Sequence, residues 1–148
     1  MAKLKLTDDW WTAPTESSNH RLIMVTVRRG LQPARDLGIY VYRIEVTWPY
    51  EPDAAGLPQL HTSRLMEQVT EAFKADFSRD PVAILTGIYT GDGERNYVFY
   101  TRSLHIFQKK LNAILSPFEL LPLSFYAEED PQWAEYDEMC QCEVTEGE

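Results

Sequence analysis

Residues 82–100, VAILTGIYTGDGERNYVFY, limit the fold of this chain more than any other stretch. Two runs rich in Val, Ile, Leu, Tyr and Phe flank the segment Thr90-Gly91-Asp92-Gly93. The glycines of that segment can adopt the positive φ angles that a tight reversal requires. The stretch therefore predicts a β-hairpin at the centre of a sheet.

Residues 39–48 give the cleanest period-two alternation in the chain, with apolar and aromatic residues on one side of the predicted strand. One face of this strand should pack on helices and the other should stay partly exposed. A strand near the C-terminal end contains Pro122, which predicts a sheet edge or a bulge. That strand covers residues 118–126, and the remaining predicted strands are residues 3–13 and 20–29, with a turn at 14–19.

Two helices are predicted from apolar residues that recur at helical spacing. The first covers residues 63–77, with Thr62 or Ser63 as its N-cap, and the second covers residues 104–115, with Ser103 as its N-cap. Each helix lies between two predicted strands.

The order strand, helix, strand, strand, helix, strand predicts an α+β fold, a ferredoxin-like βαββαβ sandwich. One antiparallel sheet should carry both helices on one face, leave the other face open, and be extended by the two N-terminal strands. We expect a single domain over residues 1–148. Its predicted parts are an N-terminal extension (1–38), the ferredoxin-like core (39–126) and an acidic C-terminal segment (127–148).

The formal net charge of −9 is concentrated in that C-terminal segment. Residues 127–148 hold nine acids and no Lys or Arg, while the rest of the chain holds the other 14 acids and all 14 basic residues. Such a segment repels phosphate backbones and attracts basic surfaces. It favours a basic protein partner over nucleic acid.

We expect a cytosolic protein that does not associate with a membrane. The N-terminus lacks a secretory signal, and no stretch approaches transmembrane length. The only cysteines, Cys140 and Cys142, cannot form a disulfide framework.

The segment Glu128-Glu129-Asp130-Pro131-Gln132-Trp133-Ala134-Glu135-Tyr136 is the most distinctive local sequence. Trp133 and Tyr136 lie three residues apart, so one helical turn would place both rings on one face, surrounded by acids. In the alternative, Asp130 caps a short helix and the rings pin that helix to the sheet, which we favour for Trp133 because large aromatic residues are usually buried. The candidate partner-binding residues are Glu128, Glu129, Asp130, Trp133 and Tyr136.

These residues, taken with the hairpin, resemble the bacterial domain of unknown function 695. The resemblance is carried by Gly56-Leu57-Pro58, by Gly93, Arg95, Tyr97, Phe99 and Tyr100, and by Asp130-Pro131 followed by Trp133 and Tyr136. It spans nearly the whole chain and implies an α/β domain without an assigned reaction. That family is similar to the regulator of ribonuclease activity B, a small acidic inhibitor of ribonuclease E, which implies an inhibitory role by analogy alone.

Two alternatives to partner docking remain open. A small-ligand or enzymatic site could lie on the open sheet face, around Arg43, Arg95, Tyr97 and Phe99. The chain could also be an immunity-type protein that neutralises a toxin. In addition, two copies could form a homodimer by pairing the N-terminal strands, which supply a sheet edge.

No catalytic, metal or cofactor site is expected. Cys140 and Cys142 offer two thiolates where a zinc site needs about four ligands, and the three histidines are scattered singly. Neither a nucleophile elbow, nor an HExxH motif, nor a phosphate-binding loop is present. The sequence therefore favours a non-catalytic interaction or regulatory module.

Overall fold

A computed structural model describes residues 6–16 and 20–141. The described part is a mixed α+β structure with a six-stranded antiparallel sheet in the order β1-β2-β4-β5-β3-β6. The elements are β1 (Trp10–Glu16), β2 (Leu22–Arg28), α1 (Gln32–Asp36), β3 (Tyr42–Pro49), α2 (Leu60–Arg79), β4 (Ala83–Gly91), β5 (Glu94–Thr101), α3 (Leu104–Leu115), β6 (Ser124–Glu129) and α4 (Ala134–Cys140).

The predicted hairpin forms the two inner strands β4 and β5. Gly91 pairs with Glu94, so Asp92 and Gly93 alone make the reversal. Both have positive φ angles, 52° and 87°, as a type I′ turn requires. The hairpin prediction is confirmed.

The sheet carries a separate hydrophobic core on each face. In β5, Tyr97 and Phe99 pack toward α2 and α3, whereas Val98 and Tyr100 belong to the cluster under α1 and α4. All four side chains are fully buried. The expectation of an open second face is therefore wrong at the centre of the sheet, because α1 and α4 cover it.

Several predicted boundaries also shift. Pro14, placed in a turn by the sequence, lies inside β1, and residues 118–123 form a loop that precedes β6. Ser103 caps α3 as predicted, because its hydroxyl accepts the Ile106 N–H. The first long helix instead begins at Leu60 after Gln59, with no side-chain cap.

The described part of the acidic C-terminal segment, residues 127–141, is not a separate tail. Its first residues complete β6, and the chain then enters α4, which packs on the sheet through Tyr136 and Met139. Cys142, Glu143, Glu146 and Glu148 lie outside the described residues, as do parts of the first predicted strand and turn. Within the described ranges, no helix combines the length and the apolar character needed to cross a bilayer.

Candidate functional site

The Asp130 carboxylate organises the start of α4. It accepts the backbone N–H groups of Ala134 and Glu135 at 2.9 and 3.1 Å, and the Tyr100 hydroxyl donates to it at 2.6 Å. Burial alone would raise the pKa of Asp130, but these hydrogen bonds outweigh burial and lower it. Asp130 thus has a structural role at the start of α4. This role is similar to the helix capping that the sequence analysis gave as the alternative to partner binding.

Trp133 and Tyr136 hold α4 on the sheet. Trp133 is 1% exposed, stacks on Tyr100 with ring centroids 4.4 Å apart, and donates its indole N–H to the Tyr40 carbonyl at 2.9 Å. The Tyr136 hydroxyl donates to the Arg28 carbonyl. Neither ring can serve as an exposed anchor for a partner. That part of the docking hypothesis is corrected.

The alternative ligand face does not assemble. Tyr97 and Phe99 contact the Phe73 ring of α2 at centroid distances of 5.1 and 5.4 Å, and the Arg95 guanidinium lies 5.8 Å from the Tyr97 ring on the same side. Arg43 points to the opposite face, beside Glu45. The four residues therefore lie on two faces of the sheet, and they do not share one open surface.

Arg43 instead gathers acids from β3 and β6 at the edge of the sheet. Its Nη1 donates to Glu45 at 3.2 Å and to Glu128 at 3.4 Å. The Arg43 side chain is only 8% exposed, whereas both carboxylates reach solvent at 28% and 34%. Its Nε is buried and finds no hydrogen-bond partner among the described residues.

Two further carboxylates, Glu135 and Glu138, come from α4. Burial raises the pKa of Glu135, nearby Glu138 and Glu128 raise it further, and Arg43 opposes them. Asp137, on the same helix, is instead paired with Arg35 of α1 at 2.9 Å. We call four acids in this region the acidic cluster: three of them interact with Arg43, and Glu138 lies beside Glu135. Its members are Glu45, Glu128, Glu135 and Glu138.

The acidic cluster thus sets four carboxylates against one guanidinium. This arrangement favours binding of a cationic group that would balance the excess charge. Among the described residues, no group of three or more His, Cys, Asp or Glu side chains is placed to hold a metal ion.

The structure thus keeps part of the sequence-predicted site. Glu128 belongs to the acidic cluster, and Glu129 is exposed at the end of β6. Arg43, predicted for a different site, lies at the centre of the cluster. Glu135 and Glu138 were missed as a pair, although their spacing of three residues predicts neighbouring side chains on a helix.

Two clefts follow the groove between α3 and β6. One has a volume of about 470 Å³ and is lined by the end of α3, the loop 118–123 and Phe125, with Glu119 as its titratable side chain. The other, of about 150 Å³, is lined mainly by apolar side chains, among them Phe107, Phe125 and Ala127. Neither cleft brings together acid and base groups suited to catalysis.

The comparison with known families gives a match over most of the chain. The profile of a family of unknown function (DUF695) matches residues 9–139, which are most of the chain. The resemblance drawn from the hairpin and the Asp130-Pro131 region is confirmed over that range. No curated protein and no solved structure matches the chain significantly.

Proposed function

We propose that the chain, which belongs to this family of unknown function, is a non-catalytic module that binds a basic protein surface through the acidic cluster. The observation that carries the proposal is the excess of carboxylates around one buried guanidinium. Lys or Arg side chains of a partner would restore the charge balance there. The proposed setting is the cytosol.

One member of the acidic cluster, Glu135, opposes folding, which favours a role in binding. Because burial and its acidic neighbours raise the pKa of Glu135, the charged carboxylate is less stable there than in the unfolded chain. A neutral residue would remove this penalty. A site that keeps unbalanced charge at the expense of stability is a candidate for function.

The elements that carry the acidic cluster are also held in place by contacts with the rest of the fold. Arg43 is fixed between Glu45 and Glu128, and α4 is fixed by the Asp130 carboxylate and the Trp133 ring. Little conformational entropy should therefore be lost when a partner binds. Asp130 and Trp133 keep a place in the proposal as positioning residues.

The finer topology belongs to the proposal as well. We interpret β3–α2–β4–β5–α3–β6 as a ferredoxin-like core, and the strand order β4-β5-β3-β6 with two intervening helices supports this interpretation. The functional analogy with the regulator of ribonuclease activity B stays a prediction, and the proposal does not depend on it.

A charge-matched capture experiment tests the proposed docking surface. The test variant carries Glu128→Gln, Glu135→Gln and Glu138→Gln; the control carries Glu51→Gln, Glu67→Gln and Glu71→Gln, which remove the same charge from exposed acids elsewhere. Both are used as bait in native lysate at low salt. We expect the wild type and the control to retain one basic protein that the test variant loses.

Capture of the same proteins by all three baits would contradict the proposal. Point variants are required because truncation after Tyr126 would delete half of β6 and the buried Trp133 and Met139. Loss of binding by a truncated chain would then report unfolding.

A further inference from the structure

The two edges of the sheet differ in their capacity to pair. The Arg29 N–H donates to the Asp9 carbonyl at 2.7 Å, which fixes the alternation of hydrogen bonds along β1 and β2. By that alternation, Pro14 occupies a position whose backbone faces away from β2. Since proline has no N–H, the β1 edge lacks a donor in its middle and is poorly suited to pairing.

The β6 edge has no such block. The Asp130 N–H donates to the Val41 carbonyl at 2.8 Å, so the alternation directs the backbone groups of Phe125, Ala127 and Glu129 away from the sheet. Neither proline nor lysine occurs in Ser124–Glu129. Phe125 and Tyr126 are 53% and 56% exposed on opposite faces of this strand. An unprotected, partly apolar edge of this kind is a template for another strand.

The β6 strand is complementary to a second copy of itself. An antiparallel pair centred on Tyr126 places Phe125 of each copy opposite Ala127 of the other, so a large side chain faces a small one. Ala127 lines the apolar cleft with Phe107 and Leu111, and the incoming Phe125 ring would cover its mouth. The same register sets Glu128 opposite Ser124, so no carboxylate faces another.

From these features we propose that two copies of the chain form a two-fold dimer by antiparallel pairing of β6. The two six-stranded sheets join into one continuous sheet. Because Pro14 blocks the other edge, pairing stops at two copies and does not continue into a filament. The N-terminal edge expected from the sequence is the less suitable one.

This interface shares β6 with the proposed docking surface, because Glu128 of the acidic cluster lies on that strand, but the two surfaces use different contacts. The dimer uses the edge of β6 and the groove beside α3, whereas the acidic cluster lies on the face toward α4. Each copy carries a formal charge of −9, so added salt should strengthen the dimer and weaken the binding of a basic partner. The two proposals can therefore fail separately.

Cysteine cross-linking tests the register directly. Tyr126→Cys places two thiols opposite each other at the two-fold axis, whereas Ser124→Cys places each thiol opposite Glu128. Under mild oxidation we expect a covalent dimer for Tyr126→Cys and little for Ser124→Cys or the wild type, which reports the background of the native cysteines. Equal cross-linking of the two variants, or preferential cross-linking of Ser124→Cys, would overturn the register.

A side-chain exchange tests the fit in solution, by sedimentation equilibrium. Ala127→Phe sets two large rings against each other and should weaken the dimer about tenfold or more, while adding Phe125→Ala restores the large-to-small pairing and most of the affinity. A monomeric wild type at the highest soluble concentration, or a double variant no better than Ala127→Phe, would overturn the proposal. A monomer would leave β6 to an extended segment of another protein.

Discussion

Asp130 shows how one carboxylate can connect three elements. It receives hydrogen bonds from Tyr100 on β5 and from two backbone N–H groups of the α4 start, while its own N–H donates to the chain before β3. The sequence predicted a helix cap there, but Trp133 has the left-handed φ of 58° that lets the chain turn into α4. The sequence did not predict this backbone conformation of Trp133, because a buried tryptophan rarely adopts a positive φ.

Replacing Asp130 with Asn should lower the free energy of unfolding by about 2 kcal/mol, since charged hydrogen bonds become neutral and one becomes mismatched. Urea unfolding measures this, with Glu129→Gln as a control that should change stability by less than about 0.5 kcal/mol. The folded-state pKa of Asp130 is lowered, so its contribution is present above the unfolded pKa and is lost as pH falls through the folded one. The difference in free energy of unfolding between the wild type and Asp130→Asn should therefore decrease below about pH 4. A constant gap would contradict this assignment.

Glu135→Gln should have the opposite effect on stability. The folded-state pKa of Glu135 is raised, so the favourable contribution exists below the unfolded pKa and is lost as pH rises through the folded one. At neutral pH the variant should therefore unfold at a higher urea concentration than the wild type, with the difference shrinking as the pH approaches the unfolded value of about 4.3. A variant less stable than the wild type at neutral pH would show that Glu135 is held by favourable contacts.

At the scale of elements, α4 determines whether the second face of the sheet is exposed to solvent. Its buried residues Tyr136 and Met139 fill the space over β2 and β4, and Trp133, at its N-cap, stacks on Tyr100 of β5. Trp133→Ala should cost about 3 kcal/mol or more in the free energy of unfolding, because a large buried ring leaves a cavity. Leu120→Ala, at a side chain that is 99% exposed, is the control and should change little. Equal effects of the two substitutions would contradict the packing role of α4.

The sequence contained more information on this layer than the prediction used. Residues 82–85 are apolar at every position, which indicates a strand buried on both faces, and Trp133, Tyr136 and Met139 recur at intervals of three. The nine acids of the segment favoured a solvated tail instead. Hairpin and helix predictions succeeded because periodicity is local. Those two local patterns indicate a strand buried on both faces and an apolar helix face, but they do not specify that one packs on the other, because that pairing is a long-range contact.

At the scale of the whole molecule, only the negative charge of the candidate site could be predicted from the sequence. The sequence indicated an acidic surface near Glu128, but Arg43 and Glu45 enter the site from β3, which pairs with β6 across 85 residues of chain. The aromatic members of the predicted site turned inward instead. Large rings contribute most to stability when they are buried, and these rings fill the core under α1 and α4.

Charge also separates the two modes of association. Between about 20 and 200 mM salt the Debye length falls severalfold, which weakens repulsion between two acidic copies and attraction to a basic partner alike. Sedimentation equilibrium should therefore show a tighter dimer at the higher salt. A dimer that dissociates as salt is added would indicate an interface held by ion pairs, contrary to the apolar pairing of β6.

The central claim is that the acidic cluster binds a basic protein, and its most direct test is an equilibrium titration of the purified captured protein. Three proteins are compared in this titration at low salt. They are the wild type, the triple variant with Glu128→Gln, Glu135→Gln and Glu138→Gln, and the charge-matched control. We expect the triple variant to bind about tenfold more weakly or worse, since three exposed ion pairs contribute a few tenths to about 1 kcal/mol each, and the control to match the wild type. Equal dissociation constants for the triple variant and the wild type would contradict the claim.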